Sequence, residues 1–346
     1  MARIAYSCCG EGRGHSSRTL TVVEELCRRG HEVRVFASHV AYQVLAPKLP
    51  QVTEIPGMVL AYKNNRIELG STLVRNAETW RRKSNTVGRI RSELAAFKPD
   101  LAVTDFEPFL PLAAKSLGVP FVSLDHQHVI PGLDLRPPVR YLPQFAATLA
   151  IVHLTHRGEM ANLVTSYFHP AKPFKNRYKY FGPILRPQIC DLKVRNLGHV
   201  LVYQTSASFV NLPELLADLP FEFRFYAFPR EGRQGNCIFK PRNHPDFFED
   251  LANCSWVLTN GGYTLISESL FLGKPVLSVP VSGQFEQWIN AHFLQKLGFG
   301  ISCEQDQLTS EIVRSFARRR DIFARTIQSC NFNGTDSVVK ELLSFL

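Results

Sequence analysis

Residues 256–268 read Trp256-Val257-Leu258-Thr259-Asn260-Gly261-Gly262-Tyr263-Thr264-Leu265-Ile266-Ser267-Glu268. An apolar strand runs into two glycines, and a helix is expected to open immediately after them. Gly261 and Gly262 let the backbone approach a ligand closely. The unbonded N–H groups of the helix start carry partial positive charge, which makes an anion site suited to a diphosphate. Thr264 and Glu268 stand four residues apart and share one helix face. A carboxylate at Glu268 repels phosphate but accepts hydrogen bonds from vicinal hydroxyls, as on a ribose. A second apolar strand, Pro275 to Val279, ends at Pro280, and a polar loop leads to Glu286-Gln287 at the next helix start. Ligands of open α/β sheets bind outside such carboxyl strand ends.

Working outward, strands and helices alternate on both sides of this stretch. In the first half the pattern predicts strands at Arg3 to Ser7, Glu32 to Phe36, Val52 to Ile55, Leu101 to Thr104, Phe121 to Leu124 and Leu149 to His153. Helices are predicted at Ser16 to Arg29, His39 to Leu45, Ser71 to Phe97 and Phe109 to Leu117. Between Phe181 and Asn196 the pattern lapses into Gly182-Pro183, Arg186-Pro187 and scattered charge, which marks a linker. The alternation then restarts, with strands at His199 to Tyr203, Glu222 to Phe228, Cys237 to Phe239, Trp256 to Leu258 and Pro275 to Val279. This order predicts α/β architecture with two doubly wound parallel-sheet domains. The boundaries are read as 1–182 for the first domain, 183–197 for the linker, 198–335 for the second domain and 336–346 for a final helix.

Composition sets the bounds. The 346 residues suffice for two cores, and 45% hydrophobic with 20% charged residues is ordinary for a globular chain. No stretch of about 18 uninterrupted apolar residues predicts a membrane-spanning helix. The strand at Arg3-Ile4-Ala5-Tyr6 leaves no room for a signal peptide, so a cytoplasmic protein is expected. Eight cysteines show no Cys-x-x-Cys pair, which suggests neither zinc site nor disulfide framework. The net charge of +10 gathers in 75–91, 172–179 and 314–325. These runs read as solvated faces, with peripheral contact to an anionic membrane surface as the alternative. No nucleic-acid motif accompanies them.

A second glycine loop follows the first strand: Gly10-Glu11-Gly12-Arg13-Gly14-His15-Ser16-Ser17-Arg18. It fails as a dinucleotide fingerprint, because His15 stands where the last glycine is required and no acidic residue closes the second strand. It fails as a Walker loop for want of Gly-Lys-Ser/Thr. What remains is an imidazole at the sheet's carboxyl edge, able to take a proton from a hydroxyl near neutral pH, or else a helix-start histidine that caps or packs locally.

Together these loops resemble inverting, nucleotide-sugar-dependent glycosyltransferases of the GT-B fold, the superfamily of UDP-glycosyltransferases and the peptidoglycan N-acetylglucosaminyltransferase. The variant Gly-Arg-Gly-His-Ser-Ser-Arg is most similar to a poorly characterised, mostly prokaryotic branch, in which Asp105-Phe106-Glu107-Pro108 and Asp125-His126-Gln127-His128 also find matches. The resemblance implies two domains facing each other across a cleft, with the last helix packing back across both. It implies main-chain N–H groups of Gly261, Gly262 and Tyr263 on the diphosphate, Glu268 on the ribose, and Glu286 and Gln287 on the sugar hydroxyls. Asn260, Thr264, Gly12 and Gly14 join the donor-binding set, with Thr205 and Ser206 as secondary members. Their other reading is a helix-capping turn. The nucleobase is expected near Phe239-Lys240.

His15 is implied as general base. Its carboxylate partner is Asp105 or Asp125, both just after parallel strands; Asp105 is preferred, with helix capping or a turn before Pro108 as its other reading. His126 and His128, sharing one side if the strand continues, are assigned with Asp125 to the acceptor side rather than to a metal. No metal or other cofactor is expected, because backbone donors meet the leaving diphosphate. Retaining relatives often carry two glutamates eight positions apart, whereas counting back from Glu268 reaches Asn260, so inversion is expected. The resulting expectation is hexosyl transfer from a UDP-linked sugar to a glycan, lipid-linked or small-molecule acceptor. A nucleotide-sugar 2-epimerase and a non-catalytic nucleotide-sugar-binding subunit are the alternatives.

Overall fold

The computed structural model describes residues 1–346 except 11, 59–61, 64–65, 68, 156–157 and 205–208; at 62–63, 66–67, 69–70, 72–73, 151 and 154–155 it describes the backbone alone. The chain divides into two compact units. Unit 1 comprises Met1–Tyr62, Ile67–Arg186 and Asn333–Leu346, and unit 2 comprises Lys63–Arg66 and Pro187–Phe332.

The strands of the first half are β1 (Arg3–Cys8), β2 (Glu32–Ala37), β3 (Val52–Glu54), the short pair β4 (Tyr62–Lys63) and β5 (Arg66–Ile67), β6 (Leu101–Asp105), β7 (Phe121–Asp125), β8 (Asn162–Thr165) and β9 (Tyr178–Phe181). The helices are α1 (Gly14–Arg28), α2 (His39–Leu45), α3 (Leu69–Arg81), α4 (Lys83–Phe97), α5 (Phe109–Ser116) and α6 (Leu142–Thr155). The sheet of unit 1 has the order β3-β2-β1-β6-β7-β8-β9, and its pairs are all parallel. Its central strands are buried on both faces, as parallel strands under crossover helices must be. The strand order reverses between β1 and β6, whose last residues Cys8 and Asp105 are paired in register.

Unit 2 repeats the plan. Helix α7 (Pro187–Cys190) leads to β10 (Val200–Tyr203), α8 (Leu212–Leu216), β11 (Phe223–Tyr226), β12 (Gly232–Gln234), β13 (Cys237–Lys240), α9 (Phe247–Asn253), β14 (Trp256–Thr259), α10 (Tyr263–Phe271), β15 (Val276–Ser278), α11 (Phe285–Lys296), β16 (Gly300–Ser302) and α12 (Ser310–Gln328). The order is β12-β13-β11-β10-β14-β15-β16, parallel except for β12 against β13. Here the order reverses between β10 and β14. The chain then returns to unit 1 through α13 (Thr335–Leu343), whose Val338, Val339 and Leu342 sit in the core with Ile4, Val22 and Leu26. The Gly334 N–H donates to the Pro183 carbonyl at 2.8 Å and the Leu185 N–H to Thr335 Oγ1 at 3.0 Å, tying this return to the end of β9.

Two expectations need correction. Residues 149–153 are helical, inside α6, not a strand. A short apolar run fits a buried strand and a helix equally; here the run lies within 14 helical residues, and length decides. The helix expected over 71–97 is two helices, broken at Arg82. Within the two helical basic runs some charges pair along their own helices: Arg82 with Glu78 at 2.6 Å, Arg81 with Glu78 at 2.7 Å and Arg318 with Glu311 at 2.6 Å. Such exposed pairs contribute little stability and keep these faces solvated. Among the described residues no helix is long and apolar enough to cross a membrane.

Candidate active site

In unit 1 two loops meet at the reversal point. His15 lies in the first turn of α1, after the glycine loop in which Gly12 takes the left-handed conformation at φ 69°. Asp105 ends β6. The two meet: His15 Nδ1 lies 2.7 Å from Asp105 Oδ1. A carboxylate only accepts, so Nδ1 carries the ring proton and Nε2 presents its lone pair, a tautomer that follows from the hydrogen-bond network. Asp105 is fully buried and His15 nearly so.

The turn after Asp105 is held by neighbours. Phe106 adopts φ 55°, a conformation that bulky residues take only where the surroundings enforce it. Thr104 Oγ1 enforces it, donating to the Glu107 carbonyl at 2.7 Å and accepting from the Glu107 N–H at 3.2 Å and from Ser7 Oγ at 3.2 Å. The Phe106 ring then stacks toward His15, centroids 6.5 Å apart. Capping of α5, one of the other readings of Asp105, falls to Glu107 instead, whose carboxyl accepts from the Phe109 and Leu110 N–H groups at 2.8 and 2.9 Å. Burial pushes that carboxyl up to about 7 against the two backbone donors.

Asp125 serves a different loop. It accepts from Ser123 Oγ at 2.6 Å, from the His128 N–H at 2.9 Å and from His128 Nδ1 at 2.7 Å. The strand stops at Asp125 and Gln127–Gly132 form a 3-10 turn, so His126 and His128 do not share one side of a strand as expected. His126 Nδ1 donates to the Thr165 carbonyl at 3.0 Å, apart from the His128–Asp125 pair. The same turn carries Gln127, whose side-chain nitrogen lies 3.4 Å from His15 Nε2.

Two residues near His15 were not singled out from sequence. Gln127 is one. Arg18 is the other: its Nε donates to Asp105 Oδ2 at 3.0 Å and its Nη2 to Asp105 Oδ1 at 2.6 Å. His15 and Arg18 are three apart on α1 and so face the same way, a spacing that was available as a signal.

In unit 2, β14 ends at Thr259, Gly262 is the N-cap of α10, and no side chain among the described residues caps that helix. The glycines differ in their surroundings. A Cβ on Gly261 would lie 2.2 Å from the Gln287 carbonyl oxygen; on Gly262 it would meet no described atom within 4 Å. Gln287 Oε1 accepts from the Gly261 N–H at 3.2 Å and the Val281 N–H at 2.9 Å. Asn290 Nδ2 donates to the Gly261 carbonyl at 2.9 Å. Gly261's N–H, expected on a diphosphate, is therefore committed to Gln287 here, and Gln287, expected on sugar hydroxyls, has its Oε1 committed to the backbone. Asn260 is likewise an internal brace, donating to Gln204 Oε1 at 3.1 Å and the Val279 carbonyl at 3.0 Å.

Thr264 is half-buried, Glu268 one turn later is buried, and Glu286 is half-buried in the first turn of α11. Thr205 and Ser206 lie outside the described residues. Phe239 belongs to the core, and Lys240 is paired with Asp246 and Asp250, each at 2.8 Å. A cavity of about 360 Å³ beside Lys240, lined also by Arg224, Glu249 and Asp250, contains none of the glycine-loop residues.

A buried imidazole paired with a carboxylate, and a helix start that no side chain among the described residues caps, each at a sheet reversal, suit group transfer from a phosphate ester. The family model for glycosyl transferase family 1 matches residues 2–320. The chain belongs to that family. Among curated relatives, this transferase is 24% identical over 324 residues to an uncharacterized glycosyltransferase of Methanosarcina acetivorans, covering 86% of this chain and 84% of that one. It is 27% identical over 251 residues to the UDP-N-acetylglucosamine–N-acetylmuramyl-(pentapeptide) pyrophosphoryl-undecaprenol N-acetylglucosamine transferase of Thermosipho africanus, covering 67% and 68%. The calicheamicin glycosyltransferase CalG4 superposes with TM-score 0.70 at 18% identity, over 100% of this chain and 98% of that one. The transferase thus has the GT-B fold.

Proposed function

We propose that this transferase moves a hexose from a nucleoside diphosphate sugar, UDP-linked, to an acceptor hydroxyl with inversion at the anomeric carbon. The observation that carries the reading is the buried His15–Asp105 pair, 2.7 Å between Nδ1 and Oδ1. With Nδ1–H given to Asp105, Nε2 takes the hydroxyl proton as the oxygen attacks, and Asp105 orients the ring. Unit 2 supplies the α10 N-terminus, reached past Gly262, for the negative charge that grows on the leaving diphosphate. Glu268 is assigned to the ribose and Glu286 to the sugar. Because backbone donors meet that charge, the reaction is proposed to need no metal. The Thermosipho relative, whose name specifies a UDP-N-acetylglucosamine donor and an undecaprenol-linked acceptor, supports both the donor class and a lipid-linked acceptor.

The test is release of nucleoside diphosphate from a panel of nucleotide sugars, with the product's anomeric configuration read by proton NMR. His15→Ala is expected to lower turnover by about 10²-fold or more with donor affinity nearly unchanged. Turnover at the wild-type rate, or a product of retained configuration, would overturn the proposal.

A further inference from the structure

The geometry points to Arg18 as the positioning residue that keeps His15 free to accept a proton, an inference that rests on the base role proposed above. Asp105 is fully buried, and a carboxylate in that position demands a compensating charge. Two groups compete to supply it. A protonated His15 would do so, but an imidazolium already holding both protons is no base. Arg18 supplies the charge permanently. Its side chain is 5% exposed, and its Nε and Nη2 grip both carboxylate oxygens at 3.0 and 2.6 Å. This fork geometry suits guanidinium in a way that no other side chain matches.

Arg18 also acts on the imidazole directly, since its Nη2 lies 3.1 Å from His15 Nδ1. Two cations at that separation repel, so Arg18 opposes the imidazolium that Asp105 favours. Asp105 thus aligns the ring while Arg18 offsets the pull of the carboxylate on the ring's second proton. Among the described residues, Tyr6 and Cys8 of β1 also face this cluster, both pushed well above their ordinary values by burial and then by Asp105, and so neutral. Glu107, two residues beyond Asp105, changes charge near pH 7 and would colour a rate profile by itself. His15 must therefore be watched directly.

The experiment is nitrogen-15 NMR of the histidine rings in the full chain, beside the pH profile of nucleoside diphosphate release. In Arg18→Met the His15 titration midpoint is expected to rise by about one pH unit or more, with the acid limb of the rate following it. Arg18→Lys, which restores the charge, should return both toward wild type. Should Arg18→Met fail to fold, Arg18→Gln keeps a donor on Asp105 without the charge and carries the same expectation. A folded neutral variant whose His15 titrates as in wild type would overturn the assignment and leave Arg18 as packing. A moved His15 midpoint with an unmoved rate profile would leave Arg18's action standing and remove His15 as the base.

Discussion

Replacing Gly261 by alanine tests whether the glycine pair is divided between architecture and ligand. The added methyl would sit 2.2 Å from the Gln287 carbonyl oxygen and 2.7 and 2.8 Å from its carbonyl carbon and Cα, all of them backbone atoms. No rotamer change relieves this, so the first turn of α11 must retreat by on the order of 1 Å. Overpacking of this kind costs about 1–3 kcal/mol. The retreat also strains the bonds that lock the turn, Gly261 N–H and Val281 N–H to Gln287 Oε1 and Asn290 Nδ2 to the Gly261 carbonyl. Losing one or two of them adds about 1 kcal/mol each.

The total is about 2–5 kcal/mol, which for a unit of this size corresponds to roughly 4–20 °C in melting temperature. Tryptophan fluorescence suits the assay, since Trp256 and Trp288 report unit 2 and only Trp80 reports unit 1. Gly262→Ala is the control: its backbone is ordinary for alanine, at φ −69° and ψ 123°, and its methyl meets no described atom. That variant should melt with wild type but bind a nucleoside diphosphate about tenfold more weakly or worse, because the methyl occupies the ligand's approach. A Gly261→Ala protein melting within about 2 °C of wild type would refute the packing argument. Undiminished binding in Gly262→Ala would remove the close-approach reading.

Gln127→Glu is expected to lower transfer about 10–100-fold at neutral pH, because a carboxylate beside His15 Nε2 draws a proton onto the lone pair the reaction needs; Gln127→Ala should be milder, and equal rates in all three proteins would dismiss the contact. Glu107 predicts a pH dependence of stability. Its folded carboxyl is raised from the usual 4.5 to about 7, so the folded state holds the proton more strongly. The stability this contributes is full below about 4.5 and is lost as pH rises to about 7, on the order of 3 kcal/mol in all. Denaturant titrations between pH 4.5 and 8 should show this slope in wild type and lose it in Glu107→Gln; a wild-type slope in the variant would assign it elsewhere. Added EDTA should leave nucleoside diphosphate release unchanged, and a loss restored by a divalent cation would contradict the proposed charge stabilisation by backbone donors.

Both doubly wound sheets were legible because their strands are short apolar runs punctuated by glycine, proline and capping residues. What failed had a physical cause each time. Residues 149–152 are apolar in a helix of low amphipathicity, where no period tells helix from strand. Strands β8, β9 and β16 carry polar or aromatic residues at three- to four-residue length, too short for any period to emerge. In the site, His15 and the glycine loops were visible because their spacing is local. The commitments of Gln287, Asn260 and Asn290 were not, since each depends on where a distant backbone group falls. Arg18 stood in plain view three residues past His15, but nothing in the sequence says that a carboxylate 87 positions away requires neutralising.

The two aspartates show what separates a brace from a working group. Asp105 and Asp125 end neighbouring strands, are equally buried, and each has a histidine Nδ1 at 2.7 Å. Ser123 and His128, which bond Asp125, lie within three residues of it, so these bonds shape the turn that contains them. The partners of Asp105, His15 and Arg18, lie 90 and 87 residues away on another loop and helix. A local network sets its geometry as soon as its own loop forms. The long-range one exists only once β1 and β6 are paired at the sheet's reversal, where the carboxyl ends leave a crevice that a ligand can enter. The turn of Asp125 meets that crevice through Gln127, whose side-chain nitrogen lies 3.4 Å from His15 Nε2. Breaking the Asp125 pair should therefore act on the chemistry chiefly by displacing Gln127, so Asp125→Asn ought to reproduce the modest defect of Gln127→Ala. Asp105→Asn, which hands His15 the wrong tautomer, should approach the loss seen in His15→Ala. Equal defects in the two asparagine variants would show that the distinction between local and long-range bonding has no bearing on the reaction.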